Sequence, residues 1–109
     1  MYVDRAYHRS NLIDASAQAT AAGVTALTPT LGGGSVGKPV RISASGTVGA
    51  LVTLNIGNNQ SIALSVNPNA PPAEKDIPSA AFSGKVNSVS VSANLSAAGV
   101  VNVIVSFAP

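Results

Sequence analysis

The sequence predicts an all-β fold, an antiparallel β-sandwich of immunoglobulin-like or jelly-roll type with an extended N-terminal arm. Three observations predict it. From Val40 onward, apolar and polar side chains alternate with a period of two, the mark of strands buried on one face only. These runs recur about ten residues apart, separated by Gly, Asn and Pro turns. Val, Ile, Leu and Phe supply 14, 6, 7 and 2 of the 109 residues, enough apolar side chain for a folded core.

The first element is the stretch MYVDRAYHRSNLID. It holds Asp4, Arg5, His8, Arg9 and Asp14, five of the eleven Asp, Glu, Lys, Arg and His residues, and both tyrosines. Nothing after it has this character, so it reads as an arm. From Leu12 to Leu31 the chain is dominated by Ala, Ser and Thr. Asp14 could cap a short helix ending at Gly23. The alternation of Ala15, Ala17, Ala19 and Ala21 with Ser16, Gln18 and Thr20 favours an extended segment. GGGSVGKP then breaks the chain, which divides into an arm and Ala/Ser/Gly-rich segment over 1–37 and a sandwich domain over 38–109.

In the second part Val40, Ile42 and Ala44 face one way and Arg41, Ser43 and Ser45 the other. Val52, Leu54 and Ile56, the turn GNNQ, and Ile62, Leu64 and Val66 read as a hairpin. NPNAPPAEKDIP holds four of the seven prolines and three of the ten charges and reads as a solvated loop. Val89, Val91, Ala93 and Leu95, the turn SAAG, and Val101, Val103, Val105 and Phe107 read as a second hairpin.

Composition excludes several function classes. Ala, Gly and Ser number 18, 10 and 14, so the core is thin and almost without aromatic filling. Charged residues are 9% of the chain, against about 25% in ordinary domains. A net charge of +2 is no electrostatic footprint for nucleic acid. There is no cysteine, hence no disulfide framework. No apolar run approaches the roughly 18 residues of a membrane helix, and no signal peptide is expected. The expectation is a protein made in the cytoplasm, with neither nucleic acid nor membrane as partner.

Chemical motifs fail one by one. Gly32, Gly37 and Lys38 match part of a phosphate-binding loop, but the next residue is Pro39 where Ser or Thr must hold magnesium and a helix must begin. His8 is the single histidine and sits in the arm, away from a scaffold that could orient it as a base. Glu74 and Asp76 flank Lys75 in the proline-rich loop, a solvated setting unlike a catalytic carboxylate pair. One His and no Cys make no zinc site. Asn59 and Asn94 match the glycosylation pattern, at a frequency that nine asparagines and many serines produce by chance. Without Trp, and with Tyr2 and Tyr7 confined to the arm, the usual aromatic platform for sugars is missing. No enzyme, cofactor or metal is expected.

Low charge and the arm point instead to assembly. The polar strand faces are Ser, Thr and Asn, whereas free sandwiches protect faces and edges with Lys, Glu or Pro. Neighbouring protein covering these faces explains the difference. Tyr2, Asp4, Arg5, Tyr7, His8 and Arg9 then form the expected partner interface, because rigid rings and guanidinium forks are enriched at interface anchors.

A cysteine-free, Ala/Gly/Ser/Val-rich sandwich with such an arm resembles the small virion proteins of tailed bacteriophages, the capsid decoration or cement proteins and other head or tail subunits. The resemblance spans the whole chain and transfers no individual site residue. It implies a virion location, a major capsid protein or other virion subunit as partner, a homo-oligomer, and stabilisation of an assembled shell. The alternative expectation is an adhesion or glycan-binding module of a fibre or tail.

Overall fold

A computed structural model of the protein describes residues 12–57 and 60–109. Among these residues eight strands form: β1 (Ile13–Ala19), β2 (Gly23–Leu27), β3 (Lys38–Gly46), β4 (Ala50–Gly57), β5 (Gln60–Val66), β6 (Ala73–Asp76), β7 (Ser90–Leu95) and β8 (Val101–Ala108). They make two four-stranded antiparallel sheets, ordered β1-β8-β3-β6 (sheet A) and β2-β7-β4-β5 (sheet B). The all-β sandwich expected from the alternation is the fold of the chain.

The pairings are nested. β1 pairs with β8, β2 with β7, β3 with β6 and β4 with β5, so the described strands make one long antiparallel hairpin whose innermost pair is β4 and β5. Two further pairings, β3 with β8 and β4 with β7, roll that hairpin into two sheets. This is the jelly-roll winding rather than the immunoglobulin one. Every pair of successive strands except β4 and β5 lies in different sheets.

The alternating residues fill the space between the sheets. Val101, Val103, Val105 and Phe107 of β8 are wholly buried against Val52, Leu54, Val91 and Ala93 of sheet B, with Ile42 and Ala44 beside them. Phe107 is the largest of the fully buried side chains. Burying one Val or Phe in this way stabilises by about 1.5–3 kcal/mol.

The Ala-rich segment is extended. Ala15 and Ala19 of β1 are buried while Asp14, Ser16 and Gln18 face out, so the period-two reading holds and a helix does not form. The sandwich thus draws strands from both sides of the glycine run, with β1 and β2 at the edges of the two sheets. The run itself makes a single 3-10 turn at Gly32–Gly34, where Gly33 and Gly34 take left-handed φ of 66° and 72°.

Two local expectations are corrected. The proline-rich loop contains β6, whose Ala73–Asp76 pairs with Ala44–Arg41 of β3; prolines limit it to four residues on a sheet edge, where a short charged strand is tolerated. β7 and β8 do not form a hairpin: they lie in different sheets, each pairing elsewhere, and the SAAG segment is an arch between sheets. Alternation fixes which face a residue presents but carries no information on which strand becomes its neighbour.

Both ends of the sandwich are closed by backbone hydrogen bonds. At one end the four loops 20–22, 47–49, 67–72 and 96–100 are tied together by Gly99 N–H to the Thr20 carbonyl (3.1 Å), Thr47 N–H to the Val100 carbonyl (2.9 Å) and Asn69 N–H to the Gly46 carbonyl (2.8 Å). At the other, Leu31 N–H donates to Asn87 O at 2.7 Å, and Gly37 and Val86 exchange N–H···O bonds of 2.9 and 2.8 Å.

Candidate interaction surface

The outer face of sheet B is built from the strand residues whose parity points away from the core. Register places Val24, Asn94, Leu51 and Ser65 in one row across the four strands. Ala26, Ser92, Thr53 and Ala63 form the next row, then Ser90, Asn55 and Ser61. None of these eleven side chains is charged. Val24 is 70% exposed and Leu51 47%, two large apolar side chains flanking Asn94 in one row. The only side-chain hydrogen bond within this face joins Asn55 Nδ2 to Ser90 Oγ at 3.4 Å, among the described residues.

The four loops at the adjoining end are uncharged as well, from Thr20 to Ala22, Thr47 to Gly49, Asn67 to Pro72 and Ser96 to Val100. All charges of the described chain lie instead on sheet A or beside the opposite end: Asp14, Lys38, Arg41, Glu74, Lys75, Asp76 and Lys85. One face and one end of the molecule are therefore ion-free, and the rest carries all the ions described.

The outer face of sheet A is a different surface. One row reads Asp14, Ser106, Arg41, Asp76. Ser106 Oγ donates to Asp14 Oδ1 at 2.7 Å, and Arg41 Nε lies 3.6 Å from Asp76 Oδ1. Both members of the ion pair are exposed, so it adds little to stability. The parallel row at the far end has Gln18 Nε2 donating to Asn102 Oδ1 at 3.1 Å. Leu12, Arg41, Glu74 and Asp76 line a shallow depression of about 370 Å³ where the described chain begins.

The residues expected at the interface, Tyr2, Asp4, Arg5, Tyr7, His8 and Arg9, lie outside the described residues. Leu12 places the point of their attachment beside the sheet A depression. The phosphate-loop lookalike is a 3-10 turn followed by Lys38 at the start of β3, so no helix N-terminus stands behind it. Glu74 and Asp76 are exposed on the same face of β6. Among the described residues, no three His, Cys, Asp or Glu side chains come together as metal ligands.

Sequence reasoning missed Val24, Ala26 and Leu51 as members of the uncharged face. Leu51 left a signal, because it shares parity with Thr53 and Asn55 and is out of step with Val52 and Leu54. Val24 left none, since the small residues of β2 define no apolar face.

Comparison with protein-family models, curated proteins and solved structures finds no match to this chain.

Proposed function

We propose that this protein is a structural virion subunit, a decoration or cement protein that stabilises an assembled shell by binding it through the sheet B face, the adjoining loops and the N-terminal arm. The observation that carries this reading is the sheet B face: eleven outward side chains across four strands without one charge, with Val24 and Leu51 exposed among them. A face left to water carries interspersed Lys and Glu; depletion of charge is the composition of the buried centre of an interface. Jelly-roll winding is shared by viral capsid subunits and lectins alike, so the weight falls on the surface rather than the fold.

The mechanism is mass action. A subunit that binds the assembled lattice and not its separated parts stabilises the lattice by RT ln(1 + [L]/Kd), about 2.7 kcal/mol per site at a hundredfold excess over Kd. No chemistry of the subunit's own is needed.

The test is the mass of the native particle that carries this chain, measured by sedimentation of a lysate from its source. The expected species is a megadalton shell; a free 10.7 kDa species overturns the reading. Removal of residues 1–11 is expected to release the subunit from the shell while its β circular-dichroism spectrum is retained. Sugar binding by the free monomer on a glycan array would favour the adhesin alternative.

A further inference from the structure

The sandwich has two flanks, and they differ in how each would meet a copy of itself. β1 and β2, joined by residues 20–22, are the end strands of the two sheets on one flank; β5 and β6 are the end strands on the other. β6 is guarded. Glu74, Lys75 and Asp76 fill three of its four positions, and Pro71, Pro72 and Pro78 bracket it. A two-fold contact there sets carboxylate against carboxylate around a Lys75 pair, a like-charge arrangement that opposes association.

The β1/β2 flank lacks these guards. β1 runs seven residues in unbroken register with β8, without proline or bulge, and β2 adds five more. Its one charge, Asp14, is turned onto the sheet by its hydrogen bond from Ser106. The side chains of β1 are mostly alanine and serine, thin enough for another backbone to approach, and the outer edge of β1 offers N–H and C=O groups that no described strand takes up. Val24, the most exposed large apolar side chain described, sits on the β2 edge of this flank.

We propose that the β1/β2 flank binds a second copy of this chain, with β1 antiparallel to β1 about a two-fold axis through Ser16, so that sheet A continues across the pair. Ser16 is the midpoint of Ile13–Ala19. On that axis Asp14 falls opposite Gln18 of the second copy, acceptor opposite donor, and no like charges meet. The pairing is isologous, as closed dimers require. It also brings Leu12 of each copy toward the other copy's 20–22 loop. A contact of one strand pair and an adjoining edge belongs to the small interfaces, below about 1,200 Å², so the dimer is concentration-dependent.

The experiment is sedimentation of the full chain between about 10 µM and about 1 mM, the range in which weak interfaces titrate. The unmodified protein is expected to pass from monomer to dimer. Ser16 is exposed, so Ser16→Lys and Ser16→Glu each keep the β spectrum and unfolding transition, but raise the dissociation constant at least about tenfold. Mixed in equal amounts they recover the dimer, because opposite charges then meet on the axis. Ala63→Lys, on the opposite flank, leaves dimerisation unchanged. A protein that stays monomeric at about 1 mM, dimers that survive both Ser16 variants, a mixture that fails to recover, or a dimer lost in Ala63→Lys overturns the proposal. The flank shares Val24 and Ala26 with the sheet B face, but Ser16 and the proposed axis lie on β1 of sheet A, so any of these results leaves the shell-binding reading to its own test.

Discussion

Ser106 donates its hydroxyl hydrogen to Asp14 across the β1–β8 pair, at 2.7 Å and 92 positions apart in the chain. This bond ties the first described strand to the last, the outermost pair of the nested hairpin. It also fixes the only charged side chain of the β1 edge. Replacing Ser106 with Ala removes the donor from an exposed carboxylate that water can solvate instead. The expected loss is at the low end for a hydrogen bond, about 0.5 kcal/mol, read as a small fall in the urea midpoint with an unchanged m-value.

Gly46 ends β3 where the loops converge. A Cβ there would overlap the Val100 carbonyl oxygen, a backbone atom that cannot swing aside, and lie 2.8 Å from the Val101 Cγ2 methyl. Gly46→Ala is expected to cost about 1–3 kcal/mol, the range for overpacking. Gly84→Ala, where nothing lies within 4 Å and φ is ordinary, should be neutral or slightly stabilising. Thermal unfolding of the two variants side by side checks the difference.

Phe107 concentrates the core. In a sandwich filled by valine and alanine it is the largest of the wholly buried side chains, so truncation leaves a void that small neighbours cannot fill. Phe107→Ala is expected to cost about 3–5 kcal/mol, a large share of the roughly 5–15 kcal/mol available to a domain. Phe107→Leu should cost less. Chemical denaturation measures both.

Leu51 separates folding from binding. It is half exposed, on the uncharged face, and its inward neighbours Val52 and Leu54 hold the strand. Leu51→Lys is expected to change stability by no more than about 0.5 kcal/mol; under the proposed shell-binding role it also removes the subunit from the shell, because a desolvated ammonium would sit in the contact. Retention on the native particle, followed by sedimentation, tests it. Undiminished shell binding by this variant would place the contact elsewhere.

What the sequence determined by itself is the set of inward and outward side chains. Period-two alternation placed Ile42, Val52, Leu54, Val103 and Phe107 in the core, because a pleated strand sends successive side chains to opposite faces; the alternating alanines favoured an extended segment over a helix capped by Asp14, and the structure decided for the strand Ile13–Ala19. The same residue types made the uncharged polar faces visible in part. Only the tertiary structure decided which strand lies beside which: that β7 and β8 part company into two sheets, that Glu74, Lys75 and Asp76 form a paired strand within a proline-rich loop, and that Val24 and Leu51 share one row with Asn94. Partnership between strands depends on contacts between residues far apart in the chain, and the backbone groups that make those contacts are the same at every position.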